Sequence, residues 1–166
     1  MSLFKGPNSR NQEKIYQYLD NPVNARYIRF YPKTWDHHIS MRAGVLVQKN
    51  TGPNTKIQED YILENPAETA RSYSSVWGNN RIGTGHAQSK LDSNLAWCAL
   101  RNDGNQWMTI DLGSVKSVGG VVTQGRATSR WSDQMVKGFM LGYSIDGKNF
   151  TLIKPDLNNE RYSNPI

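Results

Sequence analysis

The sequence predicts an all-β sandwich built as one domain, and three observations carry that expectation. Apolar and polar residues alternate at a period of two through most of the apolar stretches. Runs rich in Gly and Asn, such as "WGNNRIGTG" and "RNDGN", separate those stretches and supply residues that tolerate positive φ. Little in the chain repeats at helical spacing, and many short strands joined by such loops argue a sandwich. At 166 residues the chain is long enough to close one apolar core and short for two.

The elements follow in order. In "ARYIRFYP", Ile28 and Phe30 alternate with Tyr27 and Arg29, as on a strand with one face buried. "SMRAGVLVQ" places Met41, Ala43, Val45 and Val47 on one side. The stretch Gln48 to Thr69 has weaker strand character and contains Pro53 and Pro66, so it reads as a linker, with a short helical turn expected near Ile57 to Leu63. "QWMTIDLG", "SVGGVVTQGR" and "QMVKGFMLGYSIDGKNFTLI" return to strand patterning. "IDG" followed by Lys148 marks a hairpin turn between Tyr143 and Phe150.

Composition narrows the function classes. Lys and Arg exceed Asp and Glu by 20 to 14, a formal charge of +6 that favours anionic partners such as lipid headgroups or acidic glycans. No run of four or more Lys or Arg occurs, so the charge reads as a generally basic surface, and no nucleic-acid partner is expected. Cys98 is the sole cysteine, which excludes an internal disulfide and metal sites built on several thiolates. No apolar run approaches the roughly 18 residues of a membrane span, and "MSLFKGPNSRNQEK" lacks the apolar stretch of a signal peptide. Nucleophile-elbow, zinc-protease and phosphate-loop motifs are missing, and His37 and His38 would point to opposite faces of an extended chain. An enzyme is not expected.

Four segments together resemble the discoidin domain, the coagulation factor 5/8 type C module. They are "ARSYSSVWGNNRIGTGHAQSKLDSNLAWCA", "NQWMTIDLGSVKSVGGVVTQGR", "GYSIDGKNFT" and "NPVNARYIRFYPKTWDHHISMRAGVLV". The resemblance implies a discoidin-like, galactose-binding-like jelly-roll sandwich with ligand-binding loops at one end, acting as a binding module at the cell surface or outside the cell. The order of the parts departs from the family: Phe4 to Val47 corresponds to its closing portion, and Ala70 to Ile166 to its opening portion. The expectation is one domain over residues 1–166 in circularly permuted order, with 48–69 joining the family's natural ends. The arrangement is compatible with a closed monomer, a swapped dimer, or a piece of a tandem array.

The candidate binding residues sit in the loops. "SVWGNNRIGTGH" offers an aromatic plane in Trp77, amides in Asn79 and Asn80, a cation in Arg81 and an imidazole in His86. Sugar recognition uses that mixture, a flat apolar surface with a few fixed polar groups. The loop after "TQG" adds Arg126, Arg130, Trp131 and Asp133, and "TWDHHIS" adds Trp35, Asp36 and His37. The resemblance implies that Arg126 faces a sugar ring and that "KLDSNLAW" holds a structural calcium, with Asp92 as the one carboxylate. No other cofactor is expected. His38 reads as a hydrogen-bonding pin for its loop, and Trp97 and Trp107 read as core. Two ligand classes follow: a galactose-type glycan bound in lectin fashion, or an adhesion surface for anionic phospholipid or a cell-surface protein, with Trp77 and Trp131 as spikes.

Overall fold

The computed structural model describes residues 2–8, 12–49, 61–127 and 133–155. Among them run β1 (Phe4–Lys5), β2 (Ile15–Asp36), β3 (Ser40–Gln48), β4 (Tyr61–Glu64), β5 (Arg71–Tyr73), β6 (Trp97–Cys98), β7 (Met108–Gln124), β8 (Met135–Ser144) and β9 (Thr151–Ile153). All pairings are antiparallel. The fold is the all-β sandwich that the alternation predicted, in the jelly-roll form that the resemblance implied.

Two long strands, β2 and β7, each run through both layers. Ile15 to Tyr18 of β2 pair with Thr123 to Gly120 of β7, and after register shifts Tyr27 to Phe30 pair with Asp111 to Met108. Each shift adds residues on one side, which bends the strand and turns it toward the second layer. One layer is therefore the first half of β2, the second half of β7, β3 and β4. The other is β5, the first half of β7, the second half of β2, and β8. Ile28, Phe30, Met108, Ile110, Phe139 and Leu141 from this second layer meet Val45, Val47, Val118 and Val121 from the first in one buried cluster. At about 25 cal/mol per Å² of apolar area, each such side chain contributes roughly 1.5–3 kcal/mol on burial.

The first three strands belong to this sandwich, paired with strands from the far half of the chain. β2 is flanked by β7 and β8, and β3 by β7. The edge beyond β8 is shared by the chain's two extremes: Thr151 to Ile153 pair with Tyr143 to Leu141, and Phe4 and Lys5 continue along Phe139 and Gly138. β9 and β1 thus run in one direction, end to end, like two lengths of a single edge strand.

Two sequence expectations change here. The segment read as a linker is partly sheet, because Tyr61–Glu64 pairs with Gln48 to Val45 as β4, followed by a 3-10 turn at Glu68–Ala70. Residues 61–63 are therefore strand and not helix, and the rest of the expected helical turn lies outside the described residues. β3 is also covered on both faces. Leu46 packs with Leu91 and Val122 beneath Tyr16, Tyr18, Tyr61 and Leu63, whereas period-two patterning implied one solvated side.

The hairpin at "IDG" forms as read. Gly147 takes a φ of +73°, and Asp146 accepts hydrogen bonds from the backbone N–H of Lys148 and Asn149 at 2.8 and 2.9 Å.

Candidate functional site

A cleft of roughly 260 Å³ opens where loops from distant parts of the chain converge, lined by His38, Trp77, His86, Cys98, Arg126 and Gln134. Its volume falls at the low end for ligand pockets, the scale of one small ring system. Each wall is held by identifiable hydrogen bonds.

The Trp77 wall starts with a buried anchor. Trp97 is fully buried, stacks on Tyr73 with centroids 5.6 Å apart, and donates its indole N–H to the carbonyl of Ser75 at 2.8 Å. That bond fixes the chain two residues before Trp77. The Ser75 hydroxyl donates to Gln106 and accepts from the Leu100 N–H at 3.0 Å. Trp77 itself remains 50% exposed and meets the ring of His38 edge-on, 5.4 Å between centroids and 86° between planes.

Both imidazoles have their tautomer set by a carbonyl partner. His86 Nδ1 lies 2.9 Å from Asn80 Oδ1, which also accepts the His86 backbone N–H at 2.9 Å. An amide oxygen only accepts, so Nδ1 carries the proton and Nε2 is an acceptor when the ring is neutral. His38 Nε2 likewise donates to the carbonyl of Ala99 at 2.7 Å. Burial, then the charge of Arg126, then His38, hold the His86 pKa below that of an ordinary histidine. Gly85 sits behind this pair with a φ of +49°, and a Cβ there would stand 2.4 Å from Asn80 Oδ1, so only glycine leaves room for the Asn80 clamp.

The opposite wall is Arg126 and Gln134. Their backbones are bonded, Arg126 N–H to Gln134 carbonyl at 3.2 Å, and Arg126 Nη1 donates to Gln134 Oε1 at 2.6 Å. The same amide oxygen accepts the Ser40 hydroxyl at 3.4 Å. Ser40 also reaches Cys98 Sγ at 3.2 Å, and burial pushes the Cys98 thiol up, keeping it protonated and inert. Arg126 Nε is buried with no partner among the described residues.

Of the residues singled out in the sequence, the structure brings Trp77, His86 and Arg126 to the cleft. Asn80 stands one step behind as the His86 clamp. Asn79, with a φ of +50°, is an exposed turn residue, and Arg81 is exposed and uses its carbonyl to cap Thr84. Neither lines the cleft. His37, 63% exposed, pairs with Asp133 at 3.2 Å beside Gln134. Trp131 and Arg130 lie outside the described residues. His38 pins its loop as expected from the sequence and lines the cleft as well. Gln134 was missed, since a glutamine at a strand's entry carries no signal until its partner is known.

Trp107 is a correction. It is half-buried rather than core, because the guanidinium of Arg29 covers it at 4.0 Å and covers Phe150 at 3.8 Å on the other side. A cation between two aromatic faces keeps those rings at the surface of the sheet.

Asp92 was the one carboxylate offered for calcium, and its carboxylate is here engaged by side chains. Lys14 places its ammonium 2.5 Å from Oδ2, and Gln124 donates to Oδ1 at 3.1 Å. Those contacts, Lys14 foremost, hold the Asp92 carboxyl below the usual range. Calcium takes 6–8 oxygen ligands, and since the described residues contain no group of three or more His, Cys, Asp or Glu able to hold a metal, an ion here would draw most of its ligands from backbone carbonyls.

The chain is thus an antiparallel sandwich whose loops converge on a cleft. Comparison with known proteins agrees on the lineage. The model of the F5/8 type C domain matches residues 68–165, and the chain belongs to that family, the discoidin domains. Lactadherin from Bos taurus is 30% identical over 140 residues, covering 82% of this chain and 33% of the relative. Coagulation factor V from Bos taurus is 31% identical over 153 residues, covering 89% of this chain and 7% of the relative. The venom prothrombin activator pseutarin-C non-catalytic subunit of Pseudonaja textilis is 28% identical over 134 residues, with 80% and 9% covered. The chain spans a third or less of the length of these relatives. No solved structure matches the chain at a significant level.

Proposed function

We propose that this domain is a non-catalytic, extracellular recognition module that binds a glycan in the His38, Trp77, His86, Arg126, Gln134 cleft. The observation that carries the reading is the half-exposed indole of Trp77 beside fixed polar groups in a cleft sized for one ring. An indole face packs on the C–H face of a pyranose while imidazole, guanidinium and amide groups address its hydroxyls. The extracellular setting follows the relatives, a coagulation factor and a venom component among them. Glycan-array binding by the full chain, lost in Trp77→Ala with an unchanged melting temperature, is the expected result; retention of binding in that variant refutes the site.

A second reading has its own support. Ile82 and Leu100 are 48% and 39% exposed on the loops that also carry Trp77, Arg81 and Arg101. Apolar tips beside arginines suit insertion into an anionic bilayer surface. Vesicle binding that collapses with salt and requires Ile82 and Leu100, in the absence of any glycan bound, selects this reading.

The order of the parts supports a rotated domain closed within one chain. β9 and β1 read as one edge strand interrupted, and β1, β2 and β3 complete the sandwich begun by the rest. Closure within one chain has the advantage of high effective concentration over exchange between two copies.

A further inference from the structure

We propose that the cleft seats the carboxylate of an acidic saccharide against Arg126, with His86 as a proton-linked second contact; this rests on the glycan reading above and names its ligand class. The first ground is charge. Several other basic side chains in the fold have acidic partners: Arg26 with Asp111, Lys14 with Asp92, Lys116 with Glu64, Lys137 with Asp36, and Arg71 near Glu68. Buried Arg42, which has no ion pair among the described residues, is satisfied instead by the Gly125 and Ser93 carbonyls and Gln12 Oε1. Among the described residues the Arg126 guanidinium has only the neutral amide oxygen of Gln134, although it is half-buried and its Nε is without a partner there. A partly desolvated cation without a counter-ion gains most from an anion delivered by a ligand.

The second ground is the balance of donors and acceptors. A sugar hydroxyl donates one hydrogen and accepts others, so a site for neutral hydroxyls needs acceptors as well as donors. Among the described residues the lining of this cleft carries no carboxylate. Gln134 Oε1 already accepts from Arg126 Nη1, and the Ser40 hydroxyl, which it shares with Cys98 Sγ, lies 3.4 Å from it. The acidic group beside Gln134, Asp133, faces His37. His86 Nε2 is the acceptor left on the His86 side, opposite a guanidinium. Donors in excess of acceptors suit a ligand group that only accepts, which is what a carboxylate is.

The third ground is the position of His86 between charges. Its surroundings are Arg126 and His38, both of which disfavour the imidazolium in the empty cleft, and the neutral Asn80, Trp77, Cys98 and Gln134. A ligand carboxylate reverses that balance by adding negative charge, so binding takes up a proton and the affinity rises as pH falls. A neutral sugar that uses Nε2 as its acceptor shows the opposite sign, because protonation removes the lone pair.

The test measures binding of D-galacturonate and D-galactose to the full chain by calorimetry at about pH 5.5 and about pH 7.5, on either side of the ordinary histidine range. The expected result is galacturonate tighter than galactose by about tenfold or more, with the gap widening at the lower pH. Arg126→Gln should abolish the preference, and His86→Gln should keep it while flattening its pH dependence. Arg126→Lys, which keeps the charge, should restore part of it, and a thermal melt of each variant verifies folding. Equal affinity, or galactose favoured, overturns the acidic-ligand inference and leaves the glycan reading standing. Binding of neither sugar, or binding of phosphatidylserine vesicles alone, overturns both. A preference that survives Arg126→Gln in a folded variant also overturns the inference.

Discussion

Arg71→Ala should be the most damaging single truncation available outside the apolar core. The Arg71 side chain is fully buried where β5, β3 and the 65–68 and 88–91 segments meet. Its Nη1 donates to the carbonyls of Ala43 and Ser89 at 2.8 Å, its Nη2 donates to Asn65 Oδ1 at 2.9 Å and to the Pro66 carbonyl at 3.2 Å, and Nε shares that carbonyl. Glu68 stands 4.0 Å away and spends its carboxylate on the N–H groups of Ser89 and Lys90. Truncation takes a donor from the Ala43 and Pro66 carbonyls, at about 1–3 kcal/mol each, whereas the Ser89 carbonyl keeps the Ala43 N–H and Asn65 Oδ1 keeps the Leu91 N–H, and it removes the cation nearest Glu68. Part of this is offset, because burial already works against the charge, lowering the Arg71 pKa to about 10. The net expectation is about 3–4 kcal/mol. For a chain of this length, that moves the melting temperature by roughly 10 °C. Calorimetric melts of wild type, Arg71→Ala and Arg71→Lys test it, the lysine variant falling between because its ammonium lacks the planar fork. A loss below about 1 kcal/mol in Arg71→Ala would refute the reasoning that this guanidinium ties the two halves of the molecule together.

Three further outcomes follow from the geometry. Cleaving an engineered protease site placed between Lys49 and Tyr61 should leave both pieces in one folded particle of single-domain mass, because β2 and β3 are held by β7 and β8; elution at twice that mass, before or after cleavage, indicates exchange between chains. Gly85→Ala should cost about 1–2 kcal/mol, since residue 85 sits at a φ of +49°, and should also displace Asn80 and shift the imidazole resonances of His86. The Asp146 carboxyl is held well below the usual range by the N–H groups of Asn149 and Lys148, the Asn149 amide and the Ser144 hydroxyl. Its contribution is therefore complete above the ordinary carboxylate pKa of about 4 and is lost as pH falls below that. Urea midpoints of Asp146→Asn should accordingly decline less steeply than those of wild type on acidification, and parallel curves would refute the assignment.

Much of the fold was legible because burial follows alternation. Ile28 and Phe30 face the core while Tyr27 and Arg29 do not, as their spacing required. The turn at Gly147 and the positive φ values at Gly78, Asn79, Gly83 and Gly85 were likewise local, set by residues that tolerate them. β4 escaped detection because four residues carry too little pattern, and its strand character comes from pairing with β3. Trp107 was misjudged for a related reason: strand context says that a tryptophan lies on a face, but not that Arg29 covers that face in place of the core.

The site divides along the same line. Trp77, His86 and Arg126 could be named from composition, since loops that carry an indole, an imidazole and a guanidinium among Gly and Asn have few other uses for them. Their convergence with His38 and Gln134 could not be named, because it depends on β2 and β7 bending through both layers and bringing His38, the 77–86 loop, Arg126 and Gln134 to one end. Sequence by itself determined the periodicity, the turns and the chemical inventory, all of which act over a few residues. Only the tertiary structure decided which of those groups share a cleft, which carbonyl sets each imidazole's tautomer, and that Arg126 is left without a counter-ion among the described residues, because each depends on contacts between residues far apart in the chain.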